Sequence, residues 1–412
     1  MQINQFLLSS GLHVIVVRKV LSPLVTFKLF VKVGSRHDQA LSGLSHLAEH
    51  LIFGNSSTAP LADINGQIDR LGGTINATTT KEFTEYSLVI LKENFFAGVQ
   101  LFSETFNDPT FNLDNLEQEK EIIYEEILNS YGKANTIWDI FAQAIWKESP
   151  LRTPICGYKD SLQEITLADI VEFHQKYYCG GNIVIVVVGD IEVTAIHDTF
   201  QKMFGGIKNG LPPQKQNQPA IHTLNRPKDS HLEKNSLQTH LLVGYPGVGI
   251  NAPPLNTFKL VNKILGNGVS SRLYQKLRHD LHLVYSISSV LAIYEDTGYF
   301  SVWTNFNHSK KESVLNAITE EFASLKKIKI QAIELETAKI RYKRDLLLNC
   351  ETDSSLSDFL GTSLMLTGKI KSFEDIIVEI NSVSIDQVYE LANSYFCEAN
   401  RFVVSIGKNM EN

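Results

Sequence analysis

The chain carries an internal repeat, which constrains its fold more than any other feature. Four residues recur in the same order 218 positions later. The first set is Tyr177, Cys179, Asn182 and Gly189, and the second is Tyr395, Cys397, Asn400 and Gly407. Thr166 and Ser384 keep the same offset, and both are residue types that favour helix N-caps. Each copy reads as a helix, an extended connection and an apolar strand, at 183–188 and 402–406, so the repeat predicts two homologous halves.

The length of the chain also favours a division into two. A chain of 412 residues is too long for one ordinary hydrophobic core and suggests two domains of about 200 residues each. The stretch 205–235 is rich in Pro, Gln, Asn and Lys, as linkers are. We therefore predict a first half at 1–205, a linker at 206–235 and a second half at 236–412.

Hydrophobic periodicity places strands and helices in both halves, which gives an α+β fold class. Predicted strands lie at 12–17, 25–33, 83–91, 239–244 and 299–304. Long amphipathic helices are predicted at 115–130 and, with breaks, at 313–350. The basic part of the second, 326–344, is expected to be a solvated face to which no chemistry is assigned.

Composition argues against some classes of partner. The net charge of -7 gives no basic footprint, so nucleic acid is not expected to bind. The longest apolar run, 183–188, is far too short to span a membrane. The N-terminus begins with strand-like alternation rather than a signal or transit pattern, and the four cysteines lack zinc-knuckle spacing. A reduced, cytoplasmic protein is the expectation, and a mature form stripped of its targeting segment would look the same.

The strongest chemical signal is the sequence His46-Leu47-Ala48-Glu49-His50. On a helix, positions i, i+3 and i+4 share one face, so both imidazoles could hold one metal ion. This H-x-x-E-H order is the reverse of the commoner H-E-x-x-H zinc-protease helix. Neutral imidazole is a good zinc ligand, and a nearby unligated carboxylate can take a proton from zinc-activated water.

A third ligand is sought in the acidic stretch 117–128. If this stretch is helical, Glu119 and Glu126 share a face with three isoleucines, Ile122, Ile123 and Ile127. A carboxylate on an apolar face needs a partner such as a metal ion. The alternative is that either Glu is simply solvated, as most carboxylates on charged helices are.

With these spacings the chain resembles the pitrilysin/insulinase family of inverzincins, and in length the small branch that includes mitochondrial processing peptidase and its bacterial relatives. In that family a Glu roughly 76 residues beyond the second His completes the zinc site, and a Glu seven residues earlier supports it. Glu126 lies 76 residues beyond His50, and Glu119 lies seven before Glu126. The resemblance implies His46, His50 and Glu126 as ligands of one Zn²⁺ per chain. It also implies Glu49 as general base and Glu119 as a supporting carboxylate.

Other landmarks of the family follow in order along nearly the whole chain. The segment 72–79 looks like the family's Gly-Gly-x-x-Asn-Ala-x-Thr, and 156–157 resembles the run into the next helix. The resemblance implies a processing-peptidase-like fold, with an antiparallel-rich sheet flanked by helices in each half. The family strand equivalent to 74–80 pairs with an extended peptide, so Asn76, Ala77 and Thr78 are expected to bind substrate. An ordinary internal strand is the alternative.

The second half lacks a ligand set at the corresponding place, 258–262. It offers Arg278 and, seven residues on, Tyr285. In the family, an Arg and a Tyr at this spacing bind the substrate backbone and help to position the scissile carbonyl. Ordinary packing is the alternative for both. The residues between them, 279–284, depart from the family pattern, which leaves the conformation of this loop open.

Three functions compete at this stage. The first is a zinc endopeptidase that cleaves short or unfolded peptides inside a chamber formed by two chains, as a homodimer or as a heterodimer with a paralogous chain. The second is a non-catalytic or partner-dependent subunit of a heterodimeric processing peptidase, and the complete ligand set argues against a non-catalytic role. The third is a zinc hydrolase with a non-peptide substrate, which the strand segment at 74–80 disfavours.

Overall fold

The computed structural model describes residues 2–54, 61–131, 135–146, 148–210 and 229–408. The chain divides into two compact units, each of them discontinuous in sequence. Unit 1 comprises residues 1–131, 153–217 and 348–370, and unit 2 comprises 132–152, 218–347 and 371–412. Most of the predicted linker, from 211 to 228, lies outside the described residues, and its last part forms a strand of unit 2 at Asp229–Glu233.

Unit 1 is built from strands and helices in alternation. Its described strands are β1 Ile3–Leu7, β2 His13–Arg18, β3 Leu24–Val31, β4 Gly73–Thr79, β5 Thr84–Leu91 and β6 Ile183–Gly189. Its described helices are α1 Leu44–Gly54, α2 Leu61–Arg70, α3 Phe95–Asn107, α4 Leu113–Tyr131, α6 Lys159–Glu164, α7 Leu167–Tyr177, α8 Val193–Phe204 and α12 Asp353–Thr367. The predicted strands at 12–17, 25–33 and 83–91 and the helix at 115–130 are confirmed within two residues.

The strands of unit 1 form one mixed sheet in the order β1-β2-β6-β3-β5-β4. The pair of β2 and β6 is parallel and the other pairs are antiparallel, so the sheet is antiparallel-rich, as predicted. Every residue of β6 is buried, which fits its uninterrupted run of Ile and Val. Strand β4 forms the edge of this sheet next to β5.

Helix α12 comes from late in the chain and yet belongs to unit 1. It packs on the central strands β3 and β6. A Cβ on Gly361 would lie 2.3 Å from the ring of Phe30, so a glycine is needed where the helix crosses the sheet. Lys28 on β3 reaches Asp358 on this helix at 2.5 Å and Glu85 on β5 at 2.7 Å. Periodicity predicts no such exchange, because it reports which face of a helix is apolar and not which sheet that face covers.

Unit 2 repeats this organisation. Its described strands are β7 Asp229–Glu233, β8 Thr239–Pro246, β9 Ser286–Ile293, β10 Gly298–Phe306 and β11 Phe402–Gly407. Its described helices are α5 Asn135–Ile145, α9 Leu255–Leu265, α10 Lys311–Lys327, α11 Ala332–Leu348, α13 Phe373–Asn381 and α14 Ile385–Tyr395, with a π-helical segment at Tyr274–Asp280. The predicted strands at 239–244 and 299–304 and the broken helix at 313–350 are confirmed.

The sheet of unit 2 has the order β7-β11-β8-β10-β9. The pair of β7 and β11 is parallel and the following three pairs are antiparallel. Unit 1 has the same order of pairings across its sheet from β2 to β4. Helix α5, from early in the chain, packs on β8 and β11, the strands that correspond to β3 and β6. Each unit therefore has a helix from the other half of the sequence on the equivalent face of its sheet.

The repeat seen in the sequence is a repeat in structure. Helices α7 and α14 begin after Thr166 and Ser384, each of which accepts a hydrogen bond from a backbone N–H three residues on. Both are capping boxes, because the side chains of Asp169 and Gln387 bond back to the cap backbone. The α+β class with two homologous halves is confirmed. No helix among the described residues combines the length and apolar character that a bilayer crossing requires.

Candidate metal centre

Helix α1 positions both histidines of the motif, and its start is fixed by Asp38. This buried carboxylate accepts hydrogen bonds from the backbone N–H of Gly43 at 2.9 Å and of Ser45 at 3.0 Å, and also from the Ser45 hydroxyl. Gly43 has φ +95°, and a Cβ there would lie 2.8 Å from the carbonyl oxygen of Cys156. Capping of this kind fixes the position of the first helical turn, and His46 lies in that turn.

The structure brings His46, His50 and Glu126 together. The two imidazole centres are 4.7 Å apart with their planes at 76°. Helix α4 packs against α1 and places the Glu126 carboxylate 3.8 Å from Nε2 of His46 and 4.0 Å from Nε2 of His50. Among the described residues, this is the one group of three His, Cys, Asp or Glu side chains whose ligand atoms converge, all within 4.8 Å.

These three side chains fit a zinc ion. The Glu126 oxygens are too far from both nitrogens for hydrogen bonds, so the three groups converge without bonding one another. Two imidazole nitrogens and one carboxylate are the donors of a catalytic zinc site that keeps a position open. The Glu126 side chain is 46% exposed, so the centre is accessible from the side of α4.

Glu119 fixes the orientation of His50. Its carboxylate accepts a hydrogen bond from Nδ1 of His50 at 2.9 Å, so the proton of the neutral ring lies on Nδ1 and the lone pair on Nε2. Burial lowers the pKa of His50, but the hydrogen bond to Glu119 and the charges of Glu49, Glu119 and Glu126 raise it above its usual value. Burial and the neighbouring His50 lower the pKa of His46 to about 3, so that ring is neutral and able to act as a ligand.

Glu49 lies beside the centre and is held by Thr79. The Thr79 hydroxyl, at the end of β4, donates to the Glu49 carboxylate at 2.5 Å. Glu49 is only 8% exposed, and burial raises its pKa, while the Thr79 hydrogen bond and the charge of His50 lower it. A raised carboxyl pKa suits a group that takes up and returns protons near neutral pH.

The face of α4 differs from the prediction in one respect. Ile123 and Ile127 are buried, and Glu119 is partly buried beside them, but Ile122 is 48% exposed. The prediction that Ile122 shares the apolar face is therefore wrong. Ile122 precedes Ile123 by one residue and so projects about 100° away from it around the helix.

The predicted substrate strand lies at the edge of the sheet of unit 1. Among the described strands, β4 pairs with β5 alone. Asn76 and Thr78 are exposed and Ala77 is half-buried, and the strand ends at Thr79 beside Glu49. The alternative of an internal strand is thus wrong. The contact of these residues with a peptide stays a prediction.

Arg278 and Tyr285 are brought together in unit 2. The Arg278 guanidinium lies 5.2 Å from the centre of the Tyr285 ring and 5.5 Å from that of Tyr274. Tyr285 is 70% exposed and precedes the edge strand β9. The loop between the pair is fixed by a bond from the N–H of Leu283 to the carbonyl oxygen of Leu277, with His282 at φ +48°.

Three residues of these arrangements were not predicted from the sequence. Asp38 could have been found as an acidic cap residue a few positions before an amphipathic run. Thr79 is the final Thr of the segment 72–79, but its role depends on a contact with a distant helix. Tyr274 carried no signal, because aromatic residues near an Arg are common packing partners.

Comparison with known proteins shows the family of the chain and agrees with the fold. Residues 13–158 match the family model "Insulinase (Peptidase family M16)", and residues 164–342 match "Peptidase M16 inactive domain". An uncharacterized zinc protease of Bacillus subtilis, YmxG, is 30% identical over 96% of both chains. Another, from Rickettsia felis, is 28% identical over 98% of this chain and 97% of its own. The chain belongs to the insulinase family, peptidase family M16.

Two solved structures share the fold over nearly the whole chain. A protease from Helicobacter pylori has a TM-score of 0.87 at 23% identity, covering 98% of this chain and 99% of its own. A peptidase M16 inactive domain from Pseudomonas fluorescens has a TM-score of 0.91 at 22% identity, covering 100% and 99%. At these identities the likeness concerns the fold.

Proposed function

We propose that this protein is a zinc-dependent endopeptidase that cleaves short or unfolded peptides. One observation carries the proposal. The ligand atoms of His46, His50 and Glu126 converge within 4.8 Å, and Glu49 lies buried on the same helix as the two imidazoles. Membership of peptidase family M16 and relatives named zinc proteases support it.

His46, His50 and Glu126 would hold the metal, one ion per chain, and Glu119 would keep the His50 ring in the tautomer that presents Nε2. When bound at such a site, zinc lowers the pKa of water from ~15.7 towards ~7 and polarises a carbonyl oxygen. Glu49 accepts the proton of the water that attacks the peptide carbonyl and then gives a proton to the departing amine. Thr79 holds the Glu49 carboxylate in one rotamer for both transfers.

Strand β4 is the proposed binding surface for the peptide. An edge strand offers unpaired backbone groups to an extended chain, which gives affinity with little demand on sequence. Asn76, Ala77 and Thr78 would make these contacts, and a peptide paired along them would reach Glu49 at Thr79. Most extended backbone of a folded protein is already paired within its own sheets, so unfolded or short peptides are the favoured substrates.

We further propose that two chains together form the working enzyme, with Arg278 and Tyr285 binding the substrate backbone. The exposed Tyr285 ring and the Arg278 guanidinium beside it lie at the start of an edge strand. The tyrosine hydroxyl and the guanidinium N–H groups can donate hydrogen bonds, and the ring offers an aromatic surface. A chamber closed by a second chain would admit short or unfolded peptides. In the simplest form of the proposal the second chain is another copy of this protein, so the enzyme is a homodimer. In the alternative form the second chain is a paralogue, so the enzyme is a heterodimer.

Cleavage of a quenched, unstructured peptide by the purified protein tests the function. We expect cleavage that stops with a chelator, returns with added zinc, and is absent in Glu49→Gln protein that still contains zinc. Size-exclusion chromatography with light scattering on the same sample gives the number of chains. Zinc binding without cleavage in every preparation, with or without a paralogous chain, would contradict the proposal. Cleavage only with the paralogue would indicate the partner-dependent form.

A further inference from the structure

Unit 2 contains a pocket that the proposed proteolytic chemistry does not use. It lies between helices α9 and α11 and the loop that follows α9, and its volume is about 200 Å³. Its polar lining includes Lys263, Ser270, Glu334 and Arg341, and its apolar lining includes Ile264 and Ala338. The sequence suggested that the basic stretch 326–344 is merely a solvated face, but Arg341 from that stretch lines this pocket.

Among the described residues, the cations around the pocket other than Arg341 each contact a carboxylate, and two of them share one. Arg272 forms a two-point ion pair with Glu334, at 2.7 and 2.9 Å. Asp345 is shared by Lys263 and Arg344, each at 2.5 Å. Among the described residues no carboxylate lies within 4.0 Å of the Arg341 guanidinium.

Arg341 is nevertheless held in place. Its Nη1 donates to the carbonyl oxygen of Lys263 at 2.9 Å. Gly268, at φ +101°, lies against the other side of the guanidinium, where a Cβ would be 2.3 Å from Nη2. One N–H edge is thus occupied by backbone, and the group is half-buried. Proteins commonly bind carboxylates and phosphates with an arginine whose guanidinium is held in place and has no carboxylate partner of its own.

The surroundings select among anions. Among the described residues that line the pocket, Arg341 is the cation without a carboxylate within 4.0 Å, and the Glu334 carboxylate in the wall repels a dianion more strongly than a monoanion. Ile264 and Ala338 are buried in the wall, and Ile333 at the rim is 68% exposed. A ligand with a single carboxylate and an apolar group of the size of one side chain would match both the charge and the lining.

We propose that this pocket binds the carboxylate of a small apolar acid, with the Arg341 guanidinium as its anchor and Ile264, Ile333 and Ala338 against its apolar group. The C-terminal residue of a peptide that ends in Leu has this chemistry, and so does a free branched acid. The residues that line the pocket belong to unit 2, whereas His46, His50 and Glu126 belong to unit 1, so the two sites share no residue.

Isothermal titration calorimetry on the full-length, metal-loaded protein tests the proposal, with four ligands. N-acetyl-leucine and its amide differ only in the carboxylate, and 4-methylpentanoate lacks the amide group. Inorganic phosphate, used on the alkaline side of its second pKa, is the dianion. We expect N-acetyl-leucine to bind and its amide to bind at least ~10-fold more weakly, since a charged hydrogen bond to a carboxylate contributes about 1.5–3 kcal/mol. Equal affinity for 4-methylpentanoate would identify a free acid as the ligand, and tighter binding of N-acetyl-leucine a peptide terminus.

Matched variants assign the binding to the pocket. Arg341→Met should lose the carboxylate preference, whereas Lys343→Met, with the same charge change at an exposed position of the same helix, should keep it. A carboxylate bound at the metal centre would be insensitive to both. Arg341→Lys keeps the charge without the planar fork and should retain part of the affinity, which covers the case in which Arg341→Met misfolds. Unchanged preference in Arg341→Met and Arg341→Lys, or tighter binding of phosphate than of N-acetyl-leucine, would overturn the proposal.

Discussion

Thr79 and Glu49 are joined by a 2.5 Å hydrogen bond from hydroxyl to carboxylate, which ties the last residue of the edge strand β4 to the helix that carries His46 and His50. This bond connects the proposed peptide-binding strand directly to the proposed general base. In the proposed function, a peptide paired with β4 would extend to the Glu49 carboxylate.

Replacing Thr79 by Val keeps the shape and removes this bond. A hydrogen bond to a charged group contributes about 1.5–3 kcal/mol, so we expect kcat to fall by roughly 10- to 100-fold. Zinc content should not change, since Thr79 bonds to none of the proposed ligands. Steady-state kinetics and metal analysis measure both. Thr194→Val makes the same change at an exposed position of α8, which has no part in the proposed site, and should be near wild type.

Glu119→Gln tests how the metal site is supported. Loss of the carboxylate that holds the Nδ1 proton of His50 should weaken zinc binding by about 10- to 100-fold, as for other partners of metal-ligating histidines. Competition with a chromogenic chelator gives the affinity. Glu121→Gln removes the same charge from an exposed position of α4 and should bind zinc as the wild type does. Equal affinity of both variants would remove the supporting role of Glu119.

The sequence predicts contacts between residues that are close together in the chain, and it predicts contacts between distant residues poorly. His46, Glu49 and His50 lie within one helical turn, so their spacing alone predicted a shared face. Glu126 lies on a different helix: the pattern of the stretch 117–128 suggested Glu119 and Glu126 together, and only the family resemblance distinguished the ligand from the supporting carboxylate. The exchange of α5 and α12 between the units could not be predicted. The apolar face of a helix shows that the helix packs on a sheet, but its sequence does not specify which sheet.

The exchanged helix α12 allows a comparison of two ion pairs. Lys28 is 6% exposed and bonds Asp358 and Glu85, whereas Lys19 is 53% exposed and bonds Asp353 of the same helix. Lys28→Met leaves the half-buried Glu85 carboxylate without its ammonium partner and should lower the free energy of unfolding by about 1–3 kcal/mol. Lys19→Met should cost less than ~1 kcal/mol. Urea denaturation followed by circular dichroism measures both, and equal effects would contradict the argument from burial.

His174 should make the folded state of unit 1 less stable as the pH falls. Burial lowers the pKa of this ring, which stacks on Tyr178 at 4.7 Å, to about 4. The unfolded chain takes up this proton near pH 6.5 and the folded chain near 4, so stability present above pH 6.5 is lost as the pH falls towards 4. His174→Phe should remove this loss, worth up to about 3 kcal/mol. Denaturation at pH 7.5, 6, 5 and 4.5 tests it.

The control for this prediction is His197→Phe. The His197 side chain is 49% exposed on α8, so this variant should follow the wild type across the whole pH range. If His174→Phe and the wild type lose stability in parallel between pH 6.5 and 4.5, protonation of His174 is not a source of the acid sensitivity.

Mixing two inactive variants tests the proposed two-chain enzyme. If each active site combines the metal centre of one chain with Arg278 of the other, Glu49→Gln and Arg278→Ala homodimers are both impaired, but their heterodimer has one complete site. Co-expression in equal amounts makes about half of the dimers mixed, so roughly a quarter of wild-type activity should return. Glu49→Gln co-expressed with His46→Ala is the control, because both changes lie in the metal half and no pairing yields a complete site. Recovery in neither mixture would mean that Arg278 acts within its own chain, and recovery in both would point to a trace of wild-type enzyme. Full activity of the Arg278→Ala homodimer would mean that Arg278 has no part in the reaction.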